Sequence, residues 1–216
     1  MSDNRDPTPA LSDARHQYRA AIDALRQGGV VALPTDTVYG LCAVAADDAA
    51  VQRLYDVKRR PADQPLPLFV AGLGQAALIA DLNDTARALA ERFWPGALTI
   101  VVPKKRSYRT RAAAGAETIG LRAPADPVLR EIAAQLGPIT GTSANLSGQP
   151  ECRTAAEVRA QLGDAVDAVV DAPLAADQPP STVVDCTDER AVRILREGAV
   201  TRAQIAAALP AGTHLA

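Results

Sequence analysis

The sequence predicts a single α/β domain in which helices flank a twisted, mixed β-sheet. Three observations favour this class: a length of 216 residues, a globular composition with 48% hydrophobic and 22% charged residues, and the alternation of short apolar runs with amphipathic segments. A chain of this length can bury its own core without disulfides or metals. We expect residues 1–11 to be disordered, residues 12–209 to form the domain and residues 210–216 to be a C-terminal tail.

The helices are predicted from stripes of apolar residues, and several begin with an N-capping Ser, Thr or Asp. The first is expected to be capped by Ser12 and to end before Gly28 and Gly29. Later helices are predicted over residues 48–57, 84–94, 126–136, 154–162 and 201–209.

The strands are predicted from short apolar runs bounded by turn residues. They span residues 30–33, 40–45, 66–71, 97–102, 118–123, 138–142, 167–170, 182–186 and 192–196. Because these strands alternate with helices along the chain, we expect the helices to cover the sheet. The Pro- and Ala-rich residues 171–181 are predicted to be a surface loop.

Composition argues against several classes of function. No apolar run approaches the ~18 residues of a membrane span, and the polar N-terminus has no secretory signal pattern, so a cytoplasmic location without membrane attachment is expected. Cys42, Cys152 and Cys186 contain no CxxC pair, which disfavours a disulfide framework and a zinc site. His16 and His214 lie near the chain ends, so histidine catalysis has few candidates.

Two nucleotide-binding patterns and one basic run carry little weight. "GLGQAA" (72–77) fits a dinucleotide fingerprint, but no second strand ends in an acidic residue about 20 positions later. "GAETIGLR" (115–122) lacks the Lys-Ser or Lys-Thr of a phosphate loop. The net charge is −2, and we interpret the basic run at 104–111 as ordinary solvated surface.

Small polar residues follow the strand at residues 30–33. Thr35, Asp36 and Thr37 bring two hydroxyls and a carboxylate to the point where this strand leaves the core. The sequence assigns no role to Thr35 or Asp36, and a local Asx-type turn cap is a sufficient interpretation of Asp36.

The segment "PITGTSANLSGQP" (138–150) has the same design. In an extended backbone Ser143 and Asn145 share a face, and both can donate to anionic oxygen. Gly141 and Gly148 permit a ligand to approach the backbone. Taken alone, this stretch favours a plain Ser/Asn/Gly turn.

Cationic residues form the other half of the candidate site. Pro61 disfavours helical geometry at the preceding residue, so Lys58 and Arg60 are expected on one side of an extended segment, as a pair suited to phosphate oxygens. A solvated charge run at a helix end remains the alternative. Arg122 and Arg196 each end a strand, and Arg196 shares its parity with core residues. Such groups indicate a site that binds anions and acts by positioning and charge stabilisation.

The sequence resembles the YrdC family of threonylcarbamoyl-AMP synthases over about residues 20–200. The segments that carry the resemblance, in the family's order, are "ALPTDTVYGL", "KRRP", "FWPGALT", "TIGLRAP", "TSANLSG" and "PSTVVDCT…ILREG". The resemblance implies one α/β domain with a basic concave cleft. It also implies the condensation of L-threonine, bicarbonate and ATP to threonylcarbamoyl-adenylate and pyrophosphate, with partner proteins that transfer the threonylcarbamoyl group to tRNA.

The resemblance also implies roles for individual residues. The expected contacts of L-threonine are Thr37, Arg122, Ser143 and Ser181. The expected contacts of ATP are Lys58, Arg60, Gln64, Thr118, Asn145, Arg153 and Arg196, of which Lys58 and Arg60 are the catalytic pair. Mg²⁺ would be held mainly by the ATP phosphates. Some relatives have a histidine in the threonine pocket where this chain has Phe69, so that contact is expected to be absent.

A second hypothesis is a non-catalytic module that binds double-stranded RNA or tRNA through the same basic cleft. For the enzyme, at most weak binding of tRNA is expected, whereas the module should bind RNA tightly and with a steep salt dependence. The full set of threonine-pocket residues favours the enzyme, because an RNA-binding surface has no use for a small amino-acid pocket. The low aromatic content of 3% also disfavours a base-stacking surface.

Overall fold

The computed structural model describes residues 9–173 and 179–216 and contains two mixed sheets with helices packed against them. In this part of the chain the helices are α1 (Pro9–Arg26), α2 (Asp48–Lys58), α3 (Leu73–Ile79), α4 (Asp84–Phe93), α5 (Pro127–Leu136), α6 (Ala155–Leu162) and α7 (Arg202–Ala208). Among the described residues, no helix combines the length and the apolar character needed to cross a bilayer.

The strands are short and their order differs from their order along the chain. They are β1 (Val31–Leu33), β2 (Gly40–Cys42), β3 (Leu68–Phe69), β4 (Leu98–Pro103), β5 (Thr118–Arg122), β6 (Ile139–Thr140), β7 (Thr142–Ser143), β8 (Ala168–Val169), β9 (Thr182–Asp185), β10 (Ala191–Arg196) and β11 (His214–Leu215). The larger sheet has the order β11-β10-β9-β4-β5-β3-β6, and the smaller sheet has the order β7-β2-β1-β8. Both sheets contain parallel and antiparallel pairs.

The structure confirms the α/β class and the mixed character of the sheet, and it changes some details. The strands form two sheets where one was expected. Helix α1 begins at Pro9, so Ser12 lies within the helix and the prediction that it is the N-cap is wrong. Residues 1–8 of the segment expected to be disordered lie outside the described residues. The expected tail at 210–216 contains β11, which pairs with β10.

The core follows from the two-residue period of the strands. In and beside β1, Val31 and Leu33 belong to one apolar cluster, whereas Val30 and Ala32 belong to another. The first cluster contains Ala21 and other residues of α1 and α5, and the second is the main core. Because β1 is apolar on both faces, it is buried on both sides.

The three cysteines belong to this interior. Cys42, Cys152 and Cys186 are all buried and free. Burial raises the pKa of each thiol, because a thiolate would lose its hydration. These side chains therefore behave as small apolar groups of the core.

The chain passes from the larger sheet to the smaller one at Gly141. Thr140 ends β6 and Thr142 begins β7, so this glycine is the corner between the sheets. A Cβ atom on Gly141 would lie 2.6 Å from two ring carbons of Phe69. The corner therefore requires glycine because the aromatic ring occupies the space that a side chain would need.

We predict that Gly141→Ala lowers the free energy of unfolding by about 1–3 kcal/mol, the usual cost of overpacking a core. Gly74→Ala is the matched control, because Gly74 lies in α3 and a Cβ atom added there would meet nothing within 4 Å beyond its chain neighbours and the backbone of its own helix. The control should gain up to about 1 kcal/mol from the lower backbone entropy of the unfolded chain. Urea denaturation measures both changes. If the free energy of unfolding of Gly141→Ala equals that of the wild type, the Phe69 ring moves aside without cost and the prediction is wrong.

Candidate functional site

A cavity of about 480 Å³ opens where the ends of strands from both sheets meet. This volume lies within the range of about 300–1,000 Å³ that is typical of small-molecule sites. The predicted site residues that line it are Thr37, Arg60, Thr118, Arg122, Ser143, Ser181 and Arg196. The structure places the other predicted residues, Lys58, Gln64, Asn145 and Arg153, outside the lining.

Arg122 is fixed on several sides at the C-terminal end of β5. Its Nε donates to the carbonyl oxygen of Gly96 at 2.9 Å, Nη1 donates to Thr37 Oγ1 at 3.2 Å, and Nη2 donates to Asp36 Oδ1 at 2.6 Å. The guanidinium carbon lies 5.7 Å from the ring centroid of Phe69, within cation–π range. Burial lowers the pKa of Arg122, and the charge of Asp36 opposes this effect.

The interpretation of Asp36 as a turn cap is wrong, because its carboxylate pairs with Arg122 across 86 positions of sequence. The local turn is held by Thr35 instead. Thr35 Oγ1 accepts from the backbone N–H of Thr37 at 3.0 Å and donates to the carbonyl oxygen of Val38 at 2.7 Å. The two unassigned residues thus have distinct roles: Thr35 shapes the loop and Asp36 anchors the arginine.

Ser181 and Arg196 form a second polar corner of the cavity. Arg196 Nη2 donates to the carbonyl oxygen of Ser181 at 2.8 Å and contacts its Oγ at 3.2 Å. Ser181 Oγ is also 3.0 Å from Thr99 Oγ1, a cavity residue that the sequence analysis missed. Thr99 gave no signal of a site in the sequence, because a threonine within the apolar run of β4 fits an ordinary strand.

The expected extended segment at Lys58 and Arg60 is wrong. Lys58 is the last residue of α2, and Arg59 adopts the left-handed conformation with φ of 50°. This turn directs the side chains of Lys58 and Arg60 to different parts of the structure. Arg60 lines the cavity, where its Nη2 donates to the carbonyl oxygen of Pro65 at 3.1 Å.

Lys58 is only 2% exposed, and its ammonium group holds the chain that follows β7. Nζ donates to the carbonyl oxygens of Ser143 and Asn145, the latter at 2.7 Å, and lies 3.5 Å from Asn145 Oδ1. Burial lowers the pKa of Lys58 to about 8, and the nearby charge of Arg60 acts in the same direction. In this arrangement the ammonium donors are directed to the protein itself.

The remaining predicted nucleotide contacts also make hydrogen bonds within the chain. Asn145 Nδ2 donates to the carbonyl oxygens of Leu146 and Gln149, at 2.8 and 2.7 Å. Gln64 is exposed, and its backbone carbonyl oxygen accepts from the hydroxyl group of Tyr55. Arg153 precedes α6, and its backbone N–H donates to the carboxylate of Glu157 in that helix.

The charges of the cavity favour anionic ligands. Arg60, Arg122 and Arg196 line it together with one carboxylate, Glu151, which the sequence analysis also missed. Asp36 compensates the charge of Arg122, so Arg60 and Arg196 are the cations whose charge most directly favours an anion. Within the described ranges, no group of three His, Cys, Asp or Glu side chains could hold a metal ion.

Comparisons with known proteins point to one family. A family model for the Sua5/YciO/YrdC domain, described as telomere recombination, matches residues 23–198. The threonylcarbamoyl-AMP synthase of Bacillus subtilis is 39% identical over 207 residues, which are 94% of this chain and 60% of that protein. The synthase of Idiomarina loihiensis is 35% identical over 182 residues, 82% of this chain and 96% of that protein.

Solved structures of Sua5 and YciO proteins also match this chain. The crystal structure of Pyrococcus abyssi Sua5 complexed with L-threonine matches with a TM-score of 0.84 and 34% identity, over 92% of this chain and 58% of that one. Escherichia coli YciO matches with a TM-score of 0.73 and 27% identity, over 86% of this chain and 90% of that one. The chain therefore spans about 60% of the length of its longer relatives and most of the length of its shorter ones.

We predict that Lys58→Met lowers the free energy of unfolding by about 1–3 kcal/mol, because the carbonyl oxygens of Ser143 and Asn145 lose a buried donor. Arg60→Met is the matched control and should change stability by no more than about 0.5 kcal/mol, as for a surface residue. Urea unfolding of both variants checks this. Equal losses would contradict the assignment of Lys58 to the interior.

A second prediction concerns the buried ion pair. Asp36→Ala leaves Arg122 without its counter-charge and should cost about 3–5 kcal/mol of unfolding free energy. Asp36→Asn should cost less, because the amide oxygen can still accept from Nη2. Adding Arg122→Met to Asp36→Ala should recover part of the loss, and additive losses in this double-mutant cycle would argue against the pair.

Proposed function

Because the chain belongs to the Sua5/YciO/YrdC family, we propose that it is a threonylcarbamoyl-AMP synthase. The reaction condenses L-threonine, bicarbonate and ATP to threonylcarbamoyl-adenylate and pyrophosphate. The observation that carries the proposal is the convergence of Thr37, Arg122, Ser181 and Arg196 in one cavity. The names of the curated relatives favour this catalytic function over the RNA-binding module.

In this proposal the carboxylate of L-threonine binds Arg122. The guanidinium has five N–H donors, and Gly96, Thr37 and Asp36 each accept one of them. Each terminal nitrogen thus retains a second N–H for a ligand. Thr37, Ser143 and Ser181 add hydroxyl groups around the amino acid, and the apolar ring of Phe69 also lines the cavity.

Arg60, Thr118 and Arg196 are the proposed contacts of the ATP phosphates inside the cavity. Lys58 and Asn145 support the same site, because Lys58 donates to the backbone of Ser143 at the end of β7 and of Asn145 just after it. The motif correspondence alone supports Gln64 and Arg153 as further contacts of the nucleotide.

The proposed chemistry needs no protein nucleophile. The amine of threonine reacts with bicarbonate to give a carbamate and water, and a carbamate oxygen then attacks the α-phosphorus as pyrophosphate leaves. Negative charge develops on phosphoryl oxygens, where Arg60 and Arg196 stabilise it. Mg²⁺ bound to the phosphates would neutralise part of this charge. The carboxylate of Glu151 on the cavity wall is a hard oxygen donor that suits an ion held mostly by its substrate.

We further propose that the product passes to partner proteins that transfer the threonylcarbamoyl group to tRNA, in the cytoplasm. Any binding of tRNA by this chain would be weak, since its net charge is −2.

The proposal is tested by pyrophosphate release from ATP with bicarbonate and Mg²⁺, with and without L-threonine. Release should depend on threonine in the wild type and fall about 10²-fold in Arg60→Ala, the usual effect of removing one transition-state donor. Arg59→Gly is the matched control, because it removes the adjacent charge without straining a left-handed residue. Release that is independent of threonine in the wild type would refute the proposal.

A further inference from the structure

Two hydroxyl groups and one guanidinium group on the cavity wall form a chain of hydrogen bonds whose directions can be assigned. The chain consists of Thr35, Thr37 and Arg122, which are all buried and all line the cavity. Thr35 Oγ1 and Thr37 Oγ1 are 3.1 Å apart, and this distance by itself leaves open which of the two hydroxyls donates.

The other contacts of Thr35 decide the direction. A threonine hydroxyl has one proton to donate and two lone pairs that accept. The proton of Thr35 goes to the carbonyl oxygen of Val38 at 2.7 Å, because a carbonyl oxygen can only accept. One lone pair of Thr35 Oγ1 accepts from the backbone N–H of Thr37 at 3.0 Å. Only the second lone pair is left for the other contact, so the hydroxyl of Thr37 is the donor to Thr35.

This assignment leaves Thr37 without a proton for a ligand. Its hydroxyl proton is directed to Thr35, and one of its lone pairs accepts from Arg122 Nη1 at 3.2 Å. One lone pair of Thr37 Oγ1 remains for a further hydrogen bond. Towards the cavity, which it lines, Thr37 therefore presents an acceptor and no donor.

An acceptor at this position discriminates between the groups of an amino acid. An ionised carboxylate only accepts, so it cannot form a hydrogen bond with Thr37 Oγ1 in this state, whereas the amine and the side-chain hydroxyl of L-threonine each carry a proton to donate. Arg122 lies beside Thr37 and has only donors, which suit the carboxylate. The two neighbouring groups thus bind different parts of the same ligand and set its orientation.

We propose that Thr35 is a positioning residue. It holds the hydroxyl proton of Thr37 away from the cavity, so that Thr37 accepts a hydrogen bond from a proton-bearing group of L-threonine, the amine or the side-chain hydroxyl. The inference rests on the proposed function, because it takes L-threonine as the ligand. It extends that function to substrate selection, because an analogue without the donor leaves a buried acceptor unpaired.

The acceptor role of Thr37 is tested by calorimetric binding of three ligands to the wild type and to Thr37→Val. The ligands are L-threonine, L-2-aminobutyrate, which lacks the hydroxyl, and (R)-3-hydroxybutyrate, which lacks the amine. Thr37→Val should weaken the binding of L-threonine about tenfold more than that of one analogue, because this analogue has no hydrogen bond to lose. The analogue that is spared identifies the donor. An equal change for all three ligands would overturn the inference.

The positioning role of Thr35 is tested with the same ligands. Thr35→Val frees the proton of Thr37 to point into the cavity, so it should weaken the binding of L-threonine several-fold more than that of the analogue spared by Thr37→Val. Thr35→Ser keeps the hydroxyl and should bind all three ligands as the wild type does. Thr85→Val is the control for a lost buried hydroxyl, because Thr85 donates to the carbonyl oxygen of Glu189 and does not line the cavity.

The control should bind all three ligands like the wild type, and urea unfolding shows that each variant is folded. Two results would overturn the positioning role: an equal loss for all three ligands in Thr35→Val, which indicates a general disturbance of the loop, or a Thr35→Ser variant that behaves like Thr35→Val. Threonine-dependent release of pyrophosphate by the wild type tests the proposed function separately.

Discussion

The ion pair between Asp36 and Arg122 is the constraint on which the candidate site depends. Arg122 is only 4% exposed, and a buried guanidinium is tolerated only when its charge and its donors are satisfied. Asp36 supplies the charge, while Gly96 and Thr37 accept further hydrogen bonds. These partners come from two separate segments, so Arg122 fixes the loop after β1 and the entry to β4 relative to the end of β5. The cavity has a defined corner because this pair cannot move without exposing or isolating a charge.

Lys58 provides a second constraint: it does not line the cavity itself, but it donates to Ser143, which does. Both Lys58 and Arg122 are buried cations, but their surroundings differ. Arg122 lines the cavity, whereas the ammonium group of Lys58 donates to the backbone carbonyl oxygens of Ser143 and Asn145. A buried backbone oxygen requires a donor, and this lysine supplies one to Ser143 and to Asn145. Lys58 therefore shapes the site through the backbone of Ser143 and Asn145.

The sequence predicted most of the fold and several residues of the cavity lining, but not the contacts of these residues. Apolar runs and caps act over a few residues, so elements such as α2 and β5 were found nearly at their true bounds. The partner of Asp36 lies 86 positions away, and a turn cap was the simpler local interpretation. The strand at His214–Leu215 was missed because two residues at an edge give no periodic signal. Long-range pairing decides both cases, and local patterns do not contain it.

Breaks in regular backbone determine which side chains face the cavity. The left-handed Arg59 separates Lys58 from Arg60, although an extended chain would have placed them together. A bulge in β10 at Leu195 has the reverse effect, because Leu195 and Arg196 both line the cavity, where a regular strand would have divided them. The strand period therefore predicts the core well, since core strands are regular, and it fails at the site, where the backbone departs from the period. Candidate ligand contacts in this fold are best sought at such irregular positions.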